Sequence, residues 1–531
     1  MAGRVTFKYL GALFGGGQSQ IRAEIETALA DLNKLTAIDH WNCNHLKLLA
    51  GRLCALQQIQ FTLRTTQLEI AAKLGADVDQ WLLTHFISDL TDVPYDVLST
   101  NETATAITHL PMKRGGLGYL SQERTSPYAY AASLGMARAV MASRATDMID
   151  LGFEDPGPML NAQRSAGVPE VTTLLAALPD FDESSFWESE SASTFKGLQS
   201  KAMDKWASKK WLDTFLTFST KAEQWRFVDM DSTLSRAWMY NIPTCAANTL
   251  CNEAVSNYLR LKIHVPMQPF LPSNSVTSRS ACDYCSNTHL TDDRPNIIHI
   301  SAEHPLVCKR RESYDGRQNR HKQLKRELMR QFYMAGCKGR LERPCGSGRK
   351  MDITILEGTP YSALYLDVTS SSLRTQVCLQ NSITKMELDM AAAQIREDTL
   401  NKSKAAKATN GTGTSKEPVD FNAIMFPMKT AARKLLLEPL FKTMEDHKYV
   451  KYGDLTNADE STLFMPVAIS AYGTPSPKME QILKGLAERE FNGTSRTESS
   501  ILSRVYRDIS IMWNTALHKL YSIGTYPLTS F

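Results

Sequence analysis

Cys282-Asp-Tyr-Cys285 and His304-Pro-Leu-Val-Cys308 constrain this chain more than any other feature. Two thiolates two residues apart fit one tight turn, and a His and a Cys four apart can face one ion from a single helical turn. Together they form the tetrahedral ligand set of a structural zinc site, closed by an 18-residue loop from Cys285 to His304. The ten cysteines are otherwise scattered. That pattern argues for a reducing compartment and against a disulfide framework.

A dense basic run follows. From Lys309 to Lys350 there are fourteen Lys and Arg against four acidic residues, although the whole chain carries only +4. Leu324, Leu328 and Phe332 recur every four residues within it, which predicts a helix with one apolar and one basic face. Arg310, Arg311, Arg320, Lys322 and Lys325 are the expected phosphate contacts, setting affinity without reading sequence.

Two aspartates come next. Asp352 precedes Ile353-Thr-Ile355-Leu356, and Asp367 closes Ala363-Leu364-Tyr365-Leu366, with a Gly358-Thr-Pro360 turn between. Two strands joined this way can bring both carboxylates together. Paired carboxylates bind Mg²⁺, which orients water and stabilises the leaving oxygen of a phosphodiester. Zinc site, basic helix and paired aspartates thus have the layout of a metal-dependent nuclease.

These segments resemble the C-terminal half of non-LTR retrotransposon proteins that carry a restriction-like endonuclease of the PD-(D/E)xK kind. The Arg-His-Asn-x-Leu-Arg-Asp helix of that family is similar to Arg320-His321-Lys322-Gln-Leu324-Lys325-Arg326. Its Arg/Lys-Pro-Asp-Ile is similar to Lys350-Met351-Asp352-Ile353, with Met351 in place of proline. Its Leu-Asp-Val-Thr matches Leu366-Asp367-Val368-Thr369, and Thr369 stands where the simplest motif has lysine. In this family the lysine moves to a later helix reading Glu-x-x-Lys-x-x-Lys-Tyr. Arg396-Glu397 to Lys404 is taken as its counterpart, which makes Lys402 the catalytic lysine and leaves Lys385 as the alternative.

The resemblance extends along most of the chain. Lys8-Tyr9-Leu10-Gly11 resembles the end of a polymerase palm, and Leu110-Pro111 to Gly118 the Gly-rich loop after the thumb helices. Ala237-Trp238 to Thr244 and Arg260 to Pro266 resemble the linker between thumb and knuckle, and Phe464 to Gly473 a late nuclease strand in which Ser470 replaces glutamate. The Tyr-x-Asp-Asp of a polymerase is absent, so primer extension is not expected and the chain reads as a truncated copy or fragment of a larger element protein.

The expected fold is α+β. The end of the palm and thumb-like helices would span 1–125, a helical connector with a mobile acidic segment 126–232, and a linker 233–275. The zinc knuckle would fill 276–312, a restriction-endonuclease-like α/β core 313–475 with a disordered insertion at 405–419, and C-terminal helices 476–531. At 43% hydrophobic and 22% charged, 531 residues suffice for several domains, and no apolar run is long enough to span a membrane. No N-terminal signal segment is expected. The resemblance implies structural zinc, catalytic magnesium, DNA and element RNA as partners, a complete reverse transcriptase as a further possible partner, and a nuclear location. The alternative is a degenerate, non-catalytic zinc-dependent nucleic-acid-binding protein.

Overall fold

A computed structural model of the chain describes residues 43–63, 68–150, 157–189, 191–265, 311–345, 349–361, 363–370, 383–409, 427–453, 462–492 and 497–523, with short pieces between 7 and 30. It mixes helix and strand and divides into two compact units, 1–214 and 215–531. The boundary cuts through the expected connector, whose last eighteen residues belong to the second unit.

The first unit is helical apart from a hairpin of β1 (Phe7–Tyr9) and β2 (Ala12–Phe14). Leu46, Leu49, Leu53 and Leu56 recur at helical spacing and turn inward except Leu53, which is exposed. A π-helical turn over Gly51–Ala55 inserts the extra rotation that swings it out. The helix Leu68–Trp81 lies against Gln122–Ser143, and Asp79 caps the second helix by accepting from Ser121 Oγ (2.6 Å) and the Gln122 and Glu123 amides (2.7 and 3.2 Å).

The Ser-rich acidic segment expected to be mobile is packed. Asp182 caps the short helix Glu183–Glu188, and Phe186, Trp187 and Phe195 are buried in edge-to-face contact within one core. Three aromatics outweigh the surrounding serines, because each removes a large apolar area from water.

The Gly-rich loop 110–118 folds back on its own helix: Leu117 donates to the Ile107 carbonyl and Gly118 to the Leu110 carbonyl, both at 3.0 Å. A Cβ on Gly116 would stand 1.9 Å from the Leu110 carbonyl oxygen. Backbone cannot yield that distance, so Gly116→Ala should cost about 3 kcal/mol or more. The check is a lowered midpoint in thermal unfolding; an unchanged midpoint refutes the close approach.

The second unit is built on a four-stranded sheet in the order β3 (Lys338–Cys345), β4 (Arg349–Glu357), β5 (Ala363–Ser370), β6 (Thr462–Ile469). The first three strands are antiparallel and β6 runs parallel to β5. Its helices are α1 (Lys221–Asp229), α2 (Asn252–Lys262), α3 (Arg311–Met334), α4 (Lys385–Thr409), α5 (Pro427–Leu436), α6 (Glu438–Lys451), α7 (Pro477–Phe491) and α8 (Glu498–Ile523). Helix α4 continues through 405–409, part of the expected insertion; 410–419 lies outside the described residues.

Leu324, Leu328 and Phe332 of α3 are buried as their spacing requires, against Ile353, Ile355, Leu364, Leu366 and Val368 of the sheet. Met479 and Leu483 of α7, and Ile501, Val505 and Trp513 of α8, complete the same core. The C-terminal helices therefore share the core of the sheet and α3. Among the described residues no helix is long and apolar enough to cross a membrane.

Candidate active site

Strand register decides where the two aspartates stand. The antiparallel pairing runs as far as Ile353 against Leu366, so Asp352 and Asp367 lie one step beyond its last pair, on neighbouring strands. Val368 N donates to Asp352 Oδ2 at 2.9 Å, which fixes the Asp352 carboxylate beside the Asp367–Val368 peptide. Successive strand residues point to opposite faces. Leu366 and Val368 enter the core under α3, and Asp367 is turned toward α6.

Each carboxylate has its own retinue. From α3, Lys325 Nζ reaches Asp352 Oδ1 at 3.1 Å and His321 Nε2 stands 3.5 Å from Oδ2. His321 and Lys325 are one helical turn apart, the spacing that lets two side chains grip one group. Lys325 also donates to Glu342 of β3 at 2.9 Å. Burial pushes the Asp352 carboxyl up, but His321 and Lys325 outweigh it and hold the group below the ordinary carboxylate range. From α6, Lys448 Nζ is ion-paired to Asp367 Oδ2, and the hydroxyl of Tyr452, the residue after α6, donates to Oδ1 at 3.2 Å. Burial, then the Asp367 charge, push the Tyr452 phenol up to about 12, so it remains a donor.

Met351, Tyr452, Phe464 and Cys345 pack into a small apolar cluster, with Tyr365 and Tyr449 against it. This cluster walls the Asp367 side and fixes the tilt of α6. Lys478 of α7 reaches Glu445 at 2.7 Å and the Tyr449 hydroxyl at 2.9 Å, clamping the same helix from outside.

The sequence-derived residues fall out unevenly. Asp352 and Asp367 are brought together. Arg320 is corrected: it is 1% exposed, lies 4.4 Å over the Trp513 ring and donates to the Ala471 carbonyl at 3.2 Å, so no phosphate can reach it. Lys325 is corrected likewise, because its buried ammonium is committed to Asp352 and Glu342. Lys322 is exposed and stays available. Arg311 begins α3, and its side chain, like that of Lys402 on α4, is not among the described ones. Lys385 opens α4 with its side chain exposed. Arg310, Cys282, Cys285, His304 and Cys308 lie outside the described residues.

The lysine beside Asp367 is Lys448, which the sequence reading missed. The signal was present: Glu445-x-x-Lys448-x-x-Lys451-Tyr452 reproduces the Glu-x-x-Lys-x-x-Lys-Tyr pattern completely, tyrosine included.

Among the described residues no three or more His, Cys, Asp or Glu side chains converge as a ready-made metal cage. Two carboxylates on neighbouring strands still suit Mg²⁺, which is commonly held by one or two carboxylates with water and substrate phosphate completing its shell. No protein-family model matches the chain, and no curated protein matches it.

Proposed function

We propose that the second unit is a Mg²⁺-dependent DNA endonuclease, the nicking half of a retroelement-type protein. The observation that carries this reading is the trio Asp352, Asp367 and Lys448, drawn from the two central strands β4 and β5 and from α6. Three antiparallel strands with a fourth parallel to the third, helices on both sides, support a restriction-endonuclease-like core.

When bound, Mg²⁺ would supply Lewis-acid polarisation of the scissile phosphate and an acidified water. Asp352 and Asp367 would hold it, Asp367 exchanging its Lys448 contact for the metal. Lys448, released from its ion pair, stands where charge develops on the phosphate oxygens and stabilises it. Water's oxygen bonds to phosphorus, the bond to the 3′ oxygen breaks, and that oxygen takes a proton, leaving a 3′-hydroxyl able to prime synthesis. His321 and Lys325 position Asp352, and Tyr452 positions Asp367.

The test is nicking of supercoiled plasmid. Asp352→Asn, similar in shape, should abolish Mg²⁺-dependent nicking while DNA binding is retained, since it removes a metal ligand and no phosphate contact. Wild-type nicking by this variant refutes the site. Absence of nicking by the unaltered chain, with DNA binding intact, would favour the non-catalytic nucleic-acid-binding alternative.

For the knuckle we propose that the purified chain carries roughly one zinc, lost in Cys282→Ser together with local folding. Elemental analysis checks it, and a metal-free, fully folded chain overturns it.

A further inference from the structure

One ammonium serves two carboxylates at the edge of the Asp352 site. The Lys325 side chain is 8% exposed, and its Nζ lies 3.1 Å from Asp352 Oδ1 and 2.9 Å from Glu342 Oε1. The carboxylates come from neighbouring strands. Leu341 pairs with Ile353 and Arg343 with Met351, and Glu342 and Asp352 occupy the step between. Their settings differ. The second oxygen of Asp352 accepts from Val368 N and faces His321, whereas the Glu342 side chain is 55% exposed on the edge strand β3. A buried ammonium left without countercharge is costly, so Lys325 needs a carboxylate whatever else Asp352 binds.

The backbone supplies a second observation. Glu342 has a φ of 52°, within a strand and in the left-handed region where residues other than glycine are rare. Such a conformation is unfavourable for a residue with a Cβ and persists where its surroundings hold it. In that conformation the Glu342 carboxylate reaches Lys325. Lys325 in turn holds the Glu342 carboxyl below the ordinary carboxylate range, so Glu342 is ionised at neutral pH.

We propose that Glu342 is a positioning residue for the metal at Asp352: its carboxylate neutralises Lys325, so that Asp352 keeps its charge for a divalent cation. This rests on the reading of Asp352 as a Mg²⁺ ligand. With Glu342 present, Lys325 orients Asp352 without cancelling it. Without Glu342, the whole ammonium charge falls on Asp352 and repels a metal arriving at Oδ1. Glu342 acts through Lys325 and is not itself a ligand.

The test is metal binding by the full chain without DNA. Mn²⁺ stands in for Mg²⁺, since both favour octahedral oxygen ligands, and free Mn²⁺ is counted by its paramagnetic resonance signal. Asp352→Asn identifies which binding belongs to this site. Glu342→Gln should weaken that binding about tenfold, as loss of an outer-shell partner does. Glu342 is exposed, so this variant keeps the fold, which a cooperative thermal transition verifies. Glu357→Gln, the same loss of one exposed acidic charge at the far end of β4, should leave binding as it was. In a Lys325→Met chain, Glu342→Gln should add less than about twofold, because the charge it neutralises is gone. If Glu342→Gln binds Mn²⁺ as the unaltered chain does, the proposal is overturned while the Asp352 site stands. It is overturned also if Glu342→Gln costs as much in the Lys325→Met chain, which would make Glu342 a ligand in its own right. If Asp352→Asn leaves Mn²⁺ binding intact, the metal reading of Asp352 falls and this proposal with it.

Discussion

Lys448→Ala should remove Mg²⁺-dependent nicking from a chain that still binds DNA. Asp367 is 3% exposed and takes one ion pair, from Lys448, and one hydrogen bond, from Tyr452. Removing a single preorganised donor from a site that stabilises developing charge costs about 10²–10³ in rate. Lys448→Ala does that, and it also strips the countercharge from a buried carboxylate. Lys448→Arg restores charge without the compact ammonium and should recover folding more fully than rate. Lys402→Ala, made beside it, should nick as the unaltered chain does. The assay is single-turnover nicking of supercoiled plasmid. Normal nicking by Lys448→Ala, or its loss in Lys402→Ala alone, would show that α4 and not α6 completes the site.

The contrast between those lysines shows what a linear reading can reach. Strands β4 and β5 were legible because Ile353, Ile355, Leu364 and Leu366 alternate with polar residues, and the alternation is what puts Asp367 on the opposite face from its neighbours. The helix around Leu324, Leu328 and Phe332 was legible from its period. The lysine was not, because α4 is the helix closest in sequence to β5 and carries a partial match, whereas the complete, tyrosine-ended pattern lies further on at 445–452. Arg320 was misread for another reason. A cation within a basic run ordinarily faces water, and only the covering of α3 by Trp513, almost two hundred residues later, turns it inward. The 181–195 segment shows a third limit: composition weighs serines and acids together, whereas packing depends on Phe186, Trp187 and Phe195 meeting one another.

Asp229→Ala should destabilise the second unit by roughly 3–5 kcal/mol, in the range found when one partner of a buried charged network is removed. Asp229 ends α1 and is fully buried. Its carboxylate accepts from Ser470 Oγ and from the backbone amides of Tyr472 and Thr474, both at 3.1 Å, and Thr474 Oγ1 returns a hydrogen bond to the Asp229 carbonyl at 2.8 Å. These bonds hold the turn that follows β6, where Gly473 takes a left-handed φ of 102°. Arg320 and the Trp513 indole both donate to the Ala471 carbonyl of the same turn, each at 3.2 Å. Alanine takes the acceptor from the Tyr472 amide and the Ser470 hydroxyl, each costing about 1–3 kcal/mol before relaxation, while the Thr474 amide keeps Ser470 Oγ at 2.6 Å. The ionisation of Asp229 adds a pH signature. Burial raises its pKa from 3.8 to about 6, with the hydrogen bonds opposing only in part. A raised folded value means that this group favours the fold fully below pH 3.8 and that the contribution is lost as pH rises through about 6. The shift corresponds to about 3 kcal/mol across that window. Asp229→Asn keeps the shape and one acceptor oxygen but cannot ionise. Its stability relative to the unaltered chain should therefore improve between pH 4 and pH 7, as read by denaturant unfolding at both ends of the range. A difference that stays flat with pH would mean that Asp229 carries the same charge throughout, and that its donors, not its burial, dominate the turn.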